Sequence, residues 1–155
     1  MYEALLFLHV IGAIVLIGTG AGIAFFMVNS FHSQNPNLIA HVAGIVVLAD
    51  YVFTMMAAIA QPITGVLLAR EVGWSLTEGW ILVSIALYVF VGSCWLPVLV
   101  IQKRILLLAR AASEAGEQLP KSAICLYRVW FLLGLPAFTA MLAIIWVMLN
   151  KPVFY

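Results

Sequence analysis

An ionisable side chain stands near the start of the first long apolar stretch of this sequence. Residues 5–26, "LLFLHVIGAIVLIGTGAGIAFF", are apolar except for His9 and Thr19. A charged group within hydrocarbon costs about 2.5 kcal/mol or more on insertion scales, so His9 needs either a partner or a function. An imidazole can ligate haem iron or another metal, or it can hydrogen-bond to Gln61, Thr64 or Ser84 of a neighbouring helix. Both interpretations stay open from the residues alone.

A second ionisable group, Asp50, lies within the second apolar stretch. Acids inside membrane segments are either paired or used as proton relays. The possible partners are Arg128, Tyr88 and Thr139, and the sequence leaves a structural and a proton-relay role open. Asp50, Arg128 and Tyr88 are therefore the candidates for a catalytic role.

Composition places these groups in a membrane protein. The 155 residues are 66% hydrophobic and 8% charged, whereas soluble domains carry about 25% charged residues. A net charge of +1 without a basic stripe argues against nucleic-acid binding. Cys94 and Cys125 are far apart and form no CxxC pair, so we expect buried, inert thiols rather than a zinc or redox site.

Four apolar runs predict an all-α fold, an antiparallel four-helix transmembrane bundle that forms a single domain over residues 1–155. The predicted spans are about 3–29, 38–69, 80–101 and 122–149, and the third continues as a helix to about residue 112. The first span lacks a basic leading region and a cleavage site, so we expect it to be retained rather than removed as a signal peptide. Pro62 is the expected kink of the second span.

The basic residues predict an orientation. Five of them fall on the side of the first and third connectors, namely Lys103, Arg104, Arg110, Lys121 and Arg128. Arg70 and Lys151 fall on the other side. Because Lys and Arg favour the cytoplasmic side, both termini are predicted to lie outside.

Each span has one semi-polar face when residues are placed at about 100° per residue. We expect these faces to point into the bundle, because polar groups avoid lipid. The faces are His9, Gly12, Ala13, Leu16, Gly20 and Ile23 in span one; Asp50, Thr54, Ala57, Gln61, Thr64 and Gly65 in span two; Trp80, Ser84, Tyr88, Trp95 and Gln102 in span three; and Arg128, Leu135, Thr139, Trp146 and Asn150 in span four.

Alternating helix directions bring members of all four faces to the depth of His9. They predict a pocket in the outer half of the bundle, rimmed by cations that could meet propionates. Its predicted cofactor-binding residues are His9, Gly12, Gln61, Thr64, Arg70, Trp80, Ser84, Trp146 and Lys151. His9 would be the ligand of haem iron, and no second axial ligand stands out at that depth. His32 and His41 are expected at the membrane surface.

Several motifs resemble a widespread bacterial family of predicted integral membrane proteins. They are "LHVIGAIVLIGTGAG", "LADYVF", "TGVLLA", "GWIL", "WLPVLVIQKRI", "RVWFLLGLPAF" and "VMLNKP". More distantly, "LHVIG", "TGVLLA" and the closing "KP" resemble HemJ-type protoporphyrinogen oxidases, and the chain also resembles CopD-like copper-resistance proteins. The HemJ resemblance implies a haem-b redox protein in the bacterial inner membrane, with His9 and Lys151 matching family positions. The chain differs from HemJ in span three, "GSCWLP", and in span four, "FLLGLP".

The sequence therefore leaves three functions open. The first is a haem-b redox protein, which as an enzyme would be a membrane oxidoreductase. The second is a cofactor-free accessory or structural subunit of a larger membrane complex, and the third is a small transporter that uses Asp50 and Arg128. The GxxxG motif at Gly18 and Gly22 suits helix association in any of them, including a homo-oligomer within the lipid bilayer.

Overall fold

The predicted spans are all helical in the computed structural model, which describes residues 1–153. In chain order its helices are α1 (Tyr2–His32), α2 (Pro36–Ala49), a π-helical turn (Asp50–Thr54), α3 (Met55–Val72), α4 (Gly79–Ala115) and α5 (Lys121–Asn150). The second span, Pro36–Val72, consists of α2, the π turn and α3. The C-terminus, which is predicted to lie outside, falls at residues 154–155, beyond the described residues.

All four segments are long and apolar enough to cross a membrane. Pro36–Val72 and Gly79–Ala115 have 37 residues each, which is about 55 Å of helix against about 30 Å of hydrocarbon. These helices must therefore tilt or project beyond the bilayer. The all-α fold and its four spans are confirmed, and the antiparallel bundle is consistent with them.

Local signals explain where the helices begin and end. The Asn35 side chain accepts a hydrogen bond from the Asn37 backbone N–H at 3.0 Å, and Pro36 follows at the first helical position. Helices α3 and α4 end at Gly73 and Gly116, whose φ angles are +81° and +67°. Glycine adopts this left-handed conformation without a steric cost. The result is three short connectors, residues 33–35, 73–78 and 116–120.

The second span is interrupted at Asp50 rather than at its proline. Residues 50–54 form a π-helical turn, whereas the α-helical pattern continues through Pro62. Pro62 does not interrupt the helix, and the kink at this residue stays a prediction. A π turn inserts one extra residue into a helix and is frequent at functional sites.

The apolar core fills one half of the bundle. Helix α4 packs against α5 and α2, and α1 packs against α3 and α2. The central core side chains are Met27, Ile39, Val46, Ile105 and Trp130. They lie toward the end of the bundle that carries connectors 33–35 and 116–120, which we call the basic end. The opposite end carries connector 73–78 with Trp74 and is called the tryptophan end.

Candidate functional site

His9 joins α1 to α3 through two hydrogen bonds. Its Nδ1 lies 2.8 Å from the Thr64 hydroxyl. The Gln61 side-chain amide donates to the His9 backbone carbonyl at 2.7 Å. Gln61 and Thr64 are both buried. Of the three hydrogen-bond partners that the sequence left open for the His9 side chain, the structure thus has Thr64.

Two glycines bring these helices close together. A Cβ atom added to Gly12 would overlap the Gln61 amide nitrogen and lie 3.4 Å from its Cδ. A Cβ added to Gly65 would lie 3.3 Å from Cε1 of His9. The small residues of this face therefore make room for the Gln61 and His9 side chains. By contrast, Gly18 and Gly22 of the GxxxG motif have no heavy atom within 4 Å of such a Cβ, so these glycines bring no helix into close contact within the described residues.

The bonds of Thr64 favour one tautomer of His9. The hydroxyl has one proton, and the Ala60 carbonyl accepts it at 2.8 Å. The hydroxyl oxygen is then the acceptor for an Nδ1–H of a neutral His9. The second ring nitrogen, Nε2, consequently carries a lone pair, and it has no hydrogen-bond partner among residues 1–153. This is the arrangement in which a second group fixes a histidine for ligation through its other nitrogen.

The residues predicted to line and rim the pocket around His9 do not all lie together. The Lys151 ammonium lies 4.1 Å from the ring centroid of Trp74, and the Trp74 and Trp80 rings meet edge to face at 5.1 Å. These three residues close the tryptophan end. Arg70 is exposed, and the Ser84 hydroxyl donates to the Trp80 carbonyl of its own helix at 2.8 Å. Trp146 is 59% exposed and faces away from the bundle.

Asp50 lies in a second polar cluster, near the middle of the bundle. The carboxyl is 2% exposed, and its Oδ1 accepts a hydrogen bond from the Trp95 indole N–H at 3.3 Å. Thr54 and Gln102 also neighbour it and are 9% and 1% exposed. Three oxygen atoms of this cluster are buried without a hydrogen-bond partner within the described residues: Asp50 Oδ2, Thr54 Oγ1 and Gln102 Oε1.

Comparison with known proteins identifies the family. The chain matches DUF2269, described as a predicted integral membrane protein, over residues 3–152. The chain belongs to this family. No curated protein and no solved structure matches it significantly. The resemblance to HemJ-type and CopD-like proteins is thus without support from these comparisons, whereas the resemblance to a family of predicted integral membrane proteins is confirmed.

Two of the predicted partners of Asp50 lie elsewhere in this DUF2269 chain. The Tyr88 hydroxyl donates to the Ala58 carbonyl of α3 rather than to the carboxyl. Arg128 is exposed and lines a cleft at the basic end. Instead, Trp95 and Gln102 approach Asp50. The sequence had placed both on the inward face of span three, but only contact across helices reveals that they reach the acid.

The predicted inward face of span four points outward. Its members Arg128, Leu135, Thr139, Trp146 and Asn150 are all exposed. Helix α5 instead buries Ala123, Trp130, Ala140 and Val147 against the bundle. Thr139 and Asn150 satisfy their side chains locally, by donating to the carbonyls of Leu135 and Trp146. Because hydroxyl and amide groups can bond to their own helix in this way, a polar face does not have to point inward.

The two cysteines differ in their exposure. Cys94 is buried, as expected, but Cys125 is exposed on α5, so the prediction of two buried thiols is wrong for Cys125. Residues 1–153 contain no group of three or more His, Cys, Asp or Glu side chains placed to hold a metal ion. Any metal bound there would depend on fewer side-chain ligands of these types.

Proposed function

We propose that this integral membrane protein transfers protons, with Asp50 as the group that binds and releases them. The observation that supports this proposal is the set of unpartnered oxygens around the buried Asp50 carboxyl. An ionised carboxylate at this depth would be expensive without a cation beside it, and no basic side chain contacts Asp50 within residues 1–153. A neutral, protonated carboxyl avoids that cost.

One added proton accounts for two of the three orphan atoms. A proton on Asp50 Oδ2 makes that oxygen a donor, and rotation of the Gln102 side-chain amide would offer it Oε1, a buried acceptor without a partner within the described residues. Meanwhile Oδ1 keeps its bond from Trp95. The neutral acid is then hydrogen-bonded on both oxygens, as buried polar groups normally are.

The same cluster also supports the ionised acid. The Gln102 amide can present either its NH₂ donor or its acceptor oxygen to the carboxyl group. When Asp50 is ionised, Trp95 keeps its bond to Oδ1, and Thr54 and Gln102 are further donors beside the carboxylate. A group that is hydrogen-bonded in both protonation states can exchange its proton without leaving a buried orphan in either state.

Buried polar side chains lead from Asp50 toward the tryptophan end. Thr54, Gln61 and Thr64 are at least nine-tenths buried on one side of the second span. Asp50 and Thr64 are 14 positions apart, about 21 Å at 1.5 Å per residue. Tyr88 supplies a hydroxyl opposite Ala58, within the gap between Thr54 and Gln61. The row ends at the neutral imidazole of His9.

Infrared spectroscopy of the purified protein tests whether Asp50 changes protonation. The C=O band of a protonated carboxyl should appear as pH falls, and Asp50→Asn should remove it because the amide does not titrate. Glu114→Gln, which changes an exposed carboxyl on the same bundle, is the matched control and should keep the Asp50 band. In proteoliposomes with a pH dye inside, Asp50→Asn should lower proton entry while Glu114→Gln leaves it unchanged. Equal spectra and equal proton entry for wild type and Asp50→Asn would refute the proposal.

Haem b is a second proposal, supported by the His9 tautomer. An Nε2 lone pair with Nδ1–H held by Thr64 suits an axial ligand of haem iron. The space around it suits haem less. The space beside Gly12 is filled by the Gln61 side chain, and the space beside Gly65 by the His9 ring. Trp146 points outward, and Lys151 lies over Trp74. The residues predicted to enclose the macrocycle thus do not surround Nε2.

Absorption spectra decide this second proposal. If haem is bound through His9, His9→Ala should lose the Soret band, whereas His32→Ala and His41→Ala should keep it. His9→Gln separates ligation from a hydrogen-bonding role, because glutamine replaces the bond to Thr64 but is a poor ligand of haem iron. A colourless wild-type protein that co-purifies with stoichiometric partners would favour an accessory subunit instead.

We also propose a bacterial inner-membrane location with the basic end in the cytoplasm. Arg104, Arg110, Lys121 and Arg128 all lie at or near that end, and such residues favour the cytoplasmic side.

A further inference from the structure

A cleft at the basic end has the chemistry of an anion site. It lies between the end of α1 and the start of α5 and has a volume of about 520 Å³. Arg128 is its one permanently charged lining residue, and no acidic residue lines it among those described. Gln34 and Gln118 contribute amides from the two connectors. A site with one guanidinium and two amides recognises phosphate oxygens, because arginine matches their geometry with paired N–H groups.

The backbone keeps one of these amides at the cleft despite a conformational cost. Gln34 has φ of +53°, in the left-handed region that residues with a Cβ rarely adopt. Glycine would occupy this turn more easily, as Gly73 and Gly116 do at the other two connectors. A non-glycine residue in such a conformation is a reason to look for a function of its side chain. Here that side chain lines the cleft beside Arg128.

The wall of the cleft is aromatic and well ordered by stacking. Phe31 and Tyr127 stack with ring centroids 4.0 Å apart and planes 13° from parallel, and Tyr127 stacks in turn on the buried Trp130. Aromatic residues with one polar edge are typical of the membrane–water boundary. An aromatic wall at the end of the spanning helices is what a site for phospholipid headgroups would have.

Apolar surface continues from Arg128 along α5. Leu132 and Leu135 follow Arg128 by four and seven positions, on the same side of the helix, and are 70% and 59% exposed. These side chains suit an acyl chain. The cleft volume falls within the range of about 300–1,000 Å³ that is common for small-molecule sites, which is more than a bare phosphate ion needs.

We propose that this cleft binds the phosphate headgroup of an anionic phospholipid, with Arg128 as its main contact. The headgroup lies between Arg128, Gln34 and Gln118, and the acyl chains follow the exposed apolar face of α5. The proposal is independent of proton transfer at Asp50. The cleft uses other residues, and it lies at the basic end, whereas Asp50 lies near the middle of the bundle.

Native mass spectrometry of the purified full-length protein in mild detergent tests the proposal. The probes are phosphatidylglycerol, phosphatidylcholine and inorganic phosphate, each added alone, and phosphate added as a competitor of phosphatidylglycerol. The wild type should retain phosphatidylglycerol in preference to phosphatidylcholine. Arg128→Gln should weaken that binding about tenfold or more, because a charge-assisted hydrogen bond is lost. Arg104→Gln is the matched control, since Arg104 is exposed on α4 and does not line the cleft.

A thermal measurement keeps the result independent of folding defects. Added phosphatidylglycerol should raise the unfolding temperature of the wild type and of Arg104→Gln but not that of Arg128→Gln, whose unfolding temperature without lipid should equal that of the wild type. Equal loss of binding in both variants, or none in either, would overturn the proposal. Inorganic phosphate that binds through Arg128 and displaces phosphatidylglycerol would overturn the assignment to a lipid and indicate a soluble phosphate ligand.

Discussion

The contact between Gly12 and Gln61 provides the sharpest test of the packing described above. Gly12→Ala adds a Cβ that overlaps the Gln61 amide nitrogen, which is the donor to the His9 carbonyl. The amide must move, and its hydrogen bond lengthens or breaks. Overpacking costs about 1–3 kcal/mol, and a lost hydrogen bond costs about 1 kcal/mol. Alanine returns at most about 1 kcal/mol through its higher helix propensity. The net expectation is a destabilisation of about 1–3 kcal/mol.

Other glycines of the same bundle provide graded controls. Gly65→Ala brings a Cβ to 3.3 Å from Cε1 of His9, a tight contact that a small ring movement relieves, so it should cost less than Gly12→Ala. Gly18→Ala and Gly22→Ala meet no heavy atom within 4 Å. They should be neutral or stabilising, by up to about 1 kcal/mol. The order of the four variants follows from the distances alone.

The free energy of unfolding can be measured by titrating the protein in mild detergent with SDS, using its five tryptophans as fluorescent reporters. The double variant Gly12→Ala/Gln61→Ala isolates the contact, because removal of the Gln61 side chain also removes the overlap. It should be about as stable as Gln61→Ala alone. If Gly12→Ala is as stable as Gly18→Ala, or if the two effects simply add in the double variant, then α1 and α3 do not approach each other as described.

Further predictions concern the Asp50 cluster, the cysteines and the orientation. Trp95→Phe removes the donor to Asp50 Oδ1 and should destabilise the protein by about 1–3 kcal/mol in the same SDS titration; an effect below measurement error would exclude the indole as a partner. In detergent, Cys125 should react with maleimide before Cys94, since Cys125 is exposed and Cys94 is buried, and mass spectrometry of the digested protein reports the order. A reporter that is active only in the cytoplasm should be inactive when fused after residue 155, and activity there would reverse the proposed orientation.

Much of the bundle follows from the sequence because helical geometry in a membrane is simple. The low charge and the four apolar runs require spanning helices, which alone satisfy their backbone polar groups in lipid. A rotation of about 100° per residue then assigns residues to faces. The inward faces of the first three spans agree with the structure: Gly12, Thr64 and Ser84, for example, are buried. His9 was accordingly predicted to face Gln61, Thr64 or Ser84, and it bonds to Thr64.

Which side of the fourth span faces the bundle could not be predicted in the same way. Lipid and protein core are both apolar, so hydrophobicity distinguishes them poorly. Polar residues are the remaining guide, and in α5 that guide fails because Thr139 and Asn150 bond to carbonyls of their own helix. Which side of α5 faces the bundle is decided by its packing against α4, where Ala140 and Val147 are buried.

The sequence by itself determined that Asp50 is a buried acid in a spanning segment, because its position within an apolar run requires it. Only the tertiary structure decided its neighbours. The π turn at residues 50–54 interrupts the helical spacing at the acid itself, and Trp95 and Gln102 reach it from α4, 45 and 52 positions along the chain. Periodicity places residues around one helix axis, whereas contacts between helices depend on how those axes cross and rotate against each other.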